Sequence, residues 1–280
     1  MNQTSFGLVL SGGAAYGLAN AGVLSVFEKH GVRPDVIAGS SMGAIIAALY
    51  AVGHDAATIC KLAESLSRFS LVSLSRTPFR GGLHGGLLRQ KLGEHVGHLL
   101  GNRCIGDTLI PFVCVAGRVK KPILWSRALA SGFIGNVLNS IEPVILPDET
   151  PLLDALAATS ALPIIFSPID INGEKYVDLC SFGAVPARSL RQRYTVNTLI
   201  ATNTTPSFRT LQRLRIPGIT DFIEGAQKSL SESLAVCDLV ITPALTGTLY
   251  DFQKGAAFVR QGKHATEDAW PAIETLLART

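Results

Sequence analysis

The chain is organised around the stretch Val36-Ile37-Ala38-Gly39-Ser40-Ser41-Met42-Gly43-Ala44. Its first three residues are apolar, which predicts a short buried strand that ends at Gly39. From Met42 onward the residues are small or apolar, which predicts a buried helix. Between the two elements, Ser41 has a glycine two residues before it and Gly43 two residues after it. A sharp strand-to-helix turn needs this spacing, because its central residue takes a strained conformation and its neighbours must be small.

The central serine of this turn is a candidate nucleophile. The turn would project the Ser41 hydroxyl over a helix N-terminus, where unpaired N–H groups and the helix dipole favour negative charge. The same spacing also arises by chance, and Ser40 or Ser41 could simply cap a core helix. The pattern alone therefore leaves two interpretations, a nucleophile and a helix cap.

Composition indicates a single globular domain over residues 1–280. The chain is 47% hydrophobic, enough for a large core, and it has no internal repeat or low-complexity linker. A net charge of +4 is too small for a dedicated nucleic-acid-binding protein, so we expect no nucleic-acid partner. The five cysteines are scattered without metal-ligand spacing, and neither a signal peptide nor an apolar run of ~18 residues is visible. These features predict reduced thiols and a cytoplasmic protein without a metal site.

Two groups of arginines are candidates for contact with an anionic membrane surface. A solvated face is the simpler interpretation, and peripheral membrane contact is the alternative. The groups are Arg188, Arg191 and Arg193, and Arg209, Arg213 and Arg215.

A glycine-rich turn follows the first predicted strand, Phe6-Gly7-Leu8-Val9-Leu10. A helix is then predicted from about Leu18 to His30, so that strand, turn, helix and elbow strand form a βαβ unit with parallel strands. The turn matches neither the dinucleotide fingerprint nor a phosphate-binding loop. Consecutive Gly12 and Gly13 would let backbone N–H groups converge on a small anion, although tight strand–helix packing explains the glycines equally well.

The two turns are predicted to open at the same edge of the sheet. In an open parallel sheet, loops at the carboxyl ends of neighbouring strands share one crevice. The Ser41 hydroxyl and the glycine-rich turn would then face each other, which is the geometry of acyl transfer. Strands and helices alternate through the rest of the chain, with Thr266 predicted to begin the closing helix. We therefore predict a three-layer α/β/α sandwich with a mainly parallel central sheet and a nucleophile elbow.

A hairpin is predicted around Asn172-Gly173, because Asn-Gly favours a type I′ turn. Asp178 then lies at the end of the second strand of the hairpin. On spacing alone, a turn-forming aspartate that binds local N–H groups explains this residue well.

Four segments resemble the patatin-like phospholipase family, in particular bacterial members related to the neuropathy-target-esterase catalytic domain. Residues 10–24 resemble the family's glycine-rich oxyanion block, residues 37–44 its nucleophile block, and residues 155–163 its small-residue helix that ends in proline. Tyr176-Val177-Asp178 is similar to its catalytic-aspartate block. The resemblance implies a serine acyl hydrolase of the phospholipase A or lysophospholipase type, which cleaves carboxylic esters of lipids without a cofactor or metal.

The resemblance also implies which residues form the site. It implies a Ser–Asp dyad in which the aspartate replaces the usual histidine base. The implied residues are the catalytic Ser41 and Asp178, the oxyanion-hole residues Gly12, Gly13, Ala14 and Met42, and the elbow glycines Gly39 and Gly43.

The chain departs from the family pattern at three places. The family usually has a third glycine where this chain has Ala14, often an arginine where it has Tyr16, and Asp-Gly-Gly or Asp-Gly-Ala where it has Asp178-Leu179-Cys180. A lipid-binding or regulatory pseudoenzyme of the same fold is therefore an alternative.

A Ser-His-Asp triad is the competing mechanism. Among the six histidines, His264 comes late enough for the hydrolase order of serine, acid and histidine. His95 and His98 are predicted to lie in an exposed helical stretch. Two further segments, residues 67–90 and 125–150, are candidates to cover an acyl pocket or to contact a membrane interface.

Overall fold

A computed structural model describes residues 4–65, 85–120, 140–163, 166–206 and 219–278 of the chain. The strands in these ranges are β1 (Thr4–Leu10), β2 (Val36–Gly39), β3 (Phe112–Val119), β4 (Ile141–Ile145), β5 (Ile169–Ile171), β6 (Glu174–Val177), β7 (Val196–Thr202) and β8 (Leu239–Ile241). The helices are α1 (Ala19–Lys29), α2 (Met42–Ala51), α3 (Ala56–Ser65), α4 (Gly85–Leu92), α5 (His98–Leu100), α6 (Leu152–Ser160), α7 (Ala187–Arg193), α8 (Ile219–Leu234) and α9 (Gly255–Leu277). A π-helical turn, Gly93–Gly97, joins α4 to α5.

The strands form one mainly parallel sheet in the order β5-β6-β3-β2-β1-β7-β8, with β4 paired to β3. The run β3-β2-β1-β7-β8 is parallel throughout, whereas β4, β5 and β6 pair antiparallel. Leu10 at the end of β1 lies opposite Gly39 at the end of β2. The glycine-rich turn and the elbow therefore leave the sheet side by side at its carboxyl edge, as the sequence predicts.

Both faces of the sheet are covered by helices. Leu8 and Leu10 of β1 are fully buried in the larger apolar cluster, together with residues of α1, α2, α6 and α9. The intervening Val9 belongs to a second cluster on the opposite face, where Leu190 of α7 and Leu230 of α8 pack. This arrangement explains why successive residues such as Leu8, Val9 and Leu10 are all apolar, and it confirms the three-layer α/β/α sandwich.

Two glycines let α1 and α9 cross at close range. A Cβ atom at Gly22 would lie 1.9 Å from the carbonyl oxygen of Val259, and one at Gly262 would lie 2.0 Å from the carbonyl oxygen of Ala19. Both separations are far below contact distance, so this helix pair depends on the absence of side chains.

The predicted hairpin is confirmed, but the predicted start of the closing helix is wrong. Asn172 and Gly173 have φ values of 54° and 84°, the two left-handed residues of a type I′ turn. Helix α9 begins at Gly255, well before Thr266. The Thr266 hydroxyl is buried and donates to the carbonyl of Gly262, 2.8 Å away, so it lies inside the helix instead of capping it.

The arginines of α7 bind carboxylates of their own chain. Arg188 pairs with Glu232 at 2.7 Å, Arg191 pairs with Asp238 at 3.0 Å, and Arg193 pairs with Asp148. These ion pairs favour the solvated face over membrane contact for this group. The second arginine group, and residues 67–84 and 125–139 of the two candidate covering segments, lie outside the described residues. In the part of the chain that the structure describes, no helix is both long and apolar enough to cross a bilayer.

Candidate active site

The turn between β2 and α2 has the strained backbone that its spacing predicts. Ser41 has φ 51° and ψ −129°, a region that non-glycine residues rarely adopt. A Cβ atom at Gly39 would lie 2.5 Å from the Cα atom of Ala44, and one at Gly43 would lie 2.2 Å from the carbonyl oxygen of Leu10. Both flanking positions must therefore be glycine for strand and helix to pass.

The structure brings Asp178 to this serine from the far end of the hairpin. Asp178 follows β6, it is only 2% exposed, and it lines the same cavity as Ser41, whose side chain is close enough to lower the pKa of the carboxyl group. The N–H of Cys180 donates to the carboxylate at 2.6 Å, and the N–H of Asp178 donates to the carbonyl of Ala161 at 2.9 Å. The carboxylate is thus fixed on both sides within a buried turn.

Burial sets the acidity of this carboxyl group. Removal from water raises the pKa of Asp178 to about 6, while the hydrogen bonds from Ser41 and Cys180 act in the opposite direction. The group is ionised above neutrality, yet it is a stronger base than an ordinary aspartate.

The glycine-rich turn and the start of α2 leave several N–H groups unused. Gly13, Ala14 and Met42 donate to no acceptor among the described residues. The N–H of Gly12 donates to the carbonyl of Ala184 at 2.8 Å, so it is not among these unused groups. Gly12 instead permits close packing, since a Cβ atom there would lie 3.1 Å from the Cβ atom of Ser41.

A cavity of about 200 Å³ opens at this edge of the sheet. Its wall includes Ser41, Asp178 and the residues of the glycine-rich turn. Most of the remaining wall is apolar, including Ile45, Leu92, Val96, Leu162, Phe166 and Phe252. In the described part of the chain, no three His, Cys, Asp or Glu side chains are grouped as metal ligands would be. The arrangement is a strained serine beside a buried carboxylate, with unused N–H groups in the same apolar cavity.

A family model described as patatin-like phospholipase matches residues 8–178, more than half of the chain. The chain belongs to this family. The matched segment ends at Asp178 and includes the glycine-rich turn, the elbow and the hairpin, which are the places where the sequence resembles the family.

Similar proteins named Lysophospholipase NTE1 occur in yeasts. The protein from Meyerozyma guilliermondii is 32% identical over 202 residues, which covers 68% of this chain and 13% of the yeast protein. The protein from Candida albicans is 34% identical over 68 residues, covering 24% of this chain and 5% of its own length. The chain therefore corresponds to a small part of these curated relatives. Among solved structures, VipD from Legionella pneumophila has a TM-score of 0.49 at 14% identity and covers 95% of this chain and 67% of its own.

The departures from the family pattern have a visible backbone consequence. Ala14 and Cys180 have φ values of 48° and 52°, so each occupies a left-handed conformation where the family often has glycine. Leu179 has an ordinary φ of −71°, and its side chain fills the space beside Gly117 and Gly183. The fold accommodates the unusual Asp-Leu-Cys sequence, at a conformational cost of about 1–2 kcal/mol for each left-handed residue.

The histidine predicted for a triad does not reach the site. His264 is exposed on α9, pairs with Asp268 at 2.8 Å and lines a separate surface cavity. His95 was predicted to be exposed with His98, but it is half-buried and lines the Ser41 cavity. The signal that places His95 on a buried face is its spacing of three residues from Leu92 and seven from Leu88, which line the same cavity.

A buried polar network that sequence reasoning missed holds the glycine-rich turn. The Ser11 hydroxyl contacts the Thr204 hydroxyl at 2.8 Å, and the Ser11 carbonyl accepts a hydrogen bond from Asn20 at 2.9 Å. Thr202 joins by donating to Asn20 at 2.7 Å. All four residues are fully buried. Ser11 follows β1, and Thr202 and Thr204 lie at the end of β7, which is the neighbouring parallel strand. Small hydroxyl residues at these two strand ends are the signal in the sequence for this network.

Proposed function

We propose that this protein is a serine acyl hydrolase that cleaves carboxylic esters of lipids, of the lysophospholipase or phospholipase A type. The observation that carries the proposal is that the strained Ser41 and the buried Asp178 lie together on the wall of one mainly apolar cavity. Membership of the patatin-like phospholipase family and the names of the yeast relatives agree with this reaction.

In the proposed reaction, Asp178 takes the proton of Ser41 as the serine oxygen attacks the ester carbonyl carbon. The carbonyl oxygen becomes an oxyanion, which accepts hydrogen bonds from the unused N–H groups of Gly13, Ala14 and Met42. Collapse of this intermediate breaks the ester bond, and Asp178 returns the proton to the departing alcohol. Water then attacks the acyl-enzyme with Asp178 again as base, which releases the fatty acid and restores Ser41.

The raised pKa of Asp178 suits this role. A carboxylate is a more effective base when its pKa lies near the working pH, provided that it is still ionised there. With a pKa of about 6, Asp178 meets both conditions at neutral pH.

The wall of the cavity supports a lipid substrate. Its mainly apolar residues suit an acyl chain. Tyr250 also lines this cavity while 62% exposed, and an aromatic ring at such a boundary suits peripheral contact with a lipid surface. We therefore propose a lipid ester as substrate and a membrane surface as a peripheral partner.

The test combines active-site labelling with hydrolysis assays. The wild type should react with a fluorophosphonate probe and hydrolyse a lysophospholipid, and Ser41→Ala should do neither. Asp178→Asn should lose about 10²–10⁴-fold in kcat, the usual contribution of a general base. Ser40→Ala is the matched control, since it removes the neighbouring hydroxyl and should still label.

Two results would contradict the proposal. If the folded wild type neither labels nor hydrolyses esters of any chain length, the protein is a pseudoenzyme of the family. If Asp178→Asn keeps the full rate while His95→Gln or His264→Ala loses it, a histidine is the base.

A further inference from the structure

One cation lies on the wall of the otherwise mainly apolar cavity. Among the described residues that line it, Lys91 is the lysine or arginine and Asp178 is the aspartate or glutamate. Asp178 is the base in the proposed reaction, whereas the reaction leaves Lys91 without a role. A charged side chain on an apolar wall indicates a polar group on the ligand.

Helix α4 and the π-helical turn present one face to the cavity. Leu88, Lys91, Leu92, His95 and Val96 all line it, at the three- and four-residue spacing of a single helix face. An ion pair between Arg89 of α4 and Asp154 of α6 holds the helix in place. The position of Lys91 on the wall is therefore fixed by the packing of its helix.

The Lys91 side chain lies at the boundary between cavity and solvent. Its side chain is 35% exposed, and its Nζ atom lies 2.6 Å from Glu94, which is exposed and does not line the cavity. The His95 ring donates from Nδ1 to the Lys91 carbonyl at 2.9 Å, which ties the two side chains to one turn. An ammonium group has three N–H donors. Among the described residues, the acceptor for Lys91 is the Glu94 carboxylate. Donors therefore remain for an anion at the cavity mouth.

We propose that Lys91 binds the phosphate of a lysophospholipid head group and selects such esters over uncharged ones. The inference rests on the proposed function, because it places the acyl chain in the apolar cavity and the ester carbonyl at Ser41. The head group of such a substrate must lie toward solvent, and the partly exposed Lys91 side chain also extends to that boundary. Lysine binds phosphate as a point charge, so Lys91 acts on substrate affinity and not on the reacting atoms.

The experiment compares two substrates with the same short acyl chain, lysophosphatidylglycerol and monoacylglycerol. Both are used below their critical micelle concentrations, so that adsorption to a lipid surface does not contribute. For Lys91→Met we expect KM for the phosphate-bearing ester to rise about tenfold, the size of one lost charge-assisted hydrogen bond, with kcat unchanged. Both constants for monoacylglycerol should stay at the wild-type values, and Lys91→Arg should restore the KM for lysophosphatidylglycerol.

Lys254→Met is the matched control. Lys254 also pairs with an acid three residues away, Asp251, but it does not line the cavity. Its replacement should leave both substrates unaffected. An equal loss on the two substrates in Lys91→Met, or no change for lysophosphatidylglycerol, would overturn the role of Lys91 while leaving the hydrolase intact. A wild type that hydrolyses neither substrate would instead overturn the proposed function and this inference with it.

Discussion

Replacing Asp178 by asparagine should stabilise the protein at alkaline pH while it lowers kcat about 10²–10⁴-fold. Burial raises the pKa of Asp178 from 3.8 to about 6, so the folded protein holds this proton more tightly than the unfolded chain does. Between these two pKa values the folded state binds more protons, and the free energy of unfolding must fall as pH rises. Asparagine keeps a carbonyl oxygen for the Cys180 N–H and removes the charge.

The size of the effect follows from the two pKa values. Once pH exceeds both of them, ionisation of Asp178 costs the folded state about 3 kcal/mol, whereas at about pH 5 the cost is about 1.6 kcal/mol. The stability of Asp178→Asn relative to the wild type should therefore be about 1.4 kcal/mol greater at pH 8 than at pH 5. This comparison cancels any contribution of the asparagine that does not depend on pH.

Urea unfolding followed by far-ultraviolet circular dichroism at the two pH values would measure this difference. Asp251→Asn is the control, because hydrogen bonds from Thr248 lower the pKa of Asp251 to about 2. A lowered pKa gives stability that is already complete above the unfolded value, so Asp251→Asn should lose stability equally at pH 5 and pH 8. A pH-independent difference between Asp178→Asn and the wild type would refute the burial argument.

Three further predictions concern the rate, the strained turns and the helix crossing. For a soluble neutral ester, kcat/KM should rise with pH through about 6 and then level off, because Asp178 must be ionised to act as base; a flat profile from pH 5 to 8 would contradict this. Ala14→Gly and Cys180→Gly should each raise the free energy of unfolding by about 0.5–1 kcal/mol by relieving a left-handed conformation, whereas Cys180→Ala should bring no such gain in urea titrations. Gly22→Ala should lower the melting temperature through overlap with α9, at a cost of about 1–3 kcal/mol or more, while Gly97→Ala, with open space around it, should not.

Local chemistry explains why much of the fold can be predicted from the sequence. A sharp turn between a short strand and a helix has room only for small residues beside its centre. Gly39 and Gly43 at these positions therefore predict the elbow. The hairpin depends on Asn172 and Gly173, which favour left-handed conformations by themselves. The alternation of apolar runs and turns then predicts a parallel sheet covered by helices on both faces.

Local patterns do not predict where the closing helix begins. Lys263 and His264 look like a polar turn before Thr266, but they lie on the exposed face of α9, which runs continuously through them. The sequence around Thr266 resembles a helix start because threonine also serves as a cap. The start of α9 depends instead on its packing against α1, and this contact joins opposite ends of the chain.

The sequence by itself determined the βαβ unit, the strained serine turn and the residues that resemble the family. Only the tertiary structure decided which groups remain available for chemistry. The Gly12 N–H donates to the carbonyl of Ala184, the Asp178 carboxyl is buried with a raised pKa, and Lys91 lies on the cavity wall. Each of these properties depends on contacts between residues far apart in the chain, since hydrogen-bond partners and solvent exposure are set by packing and not by neighbours in sequence.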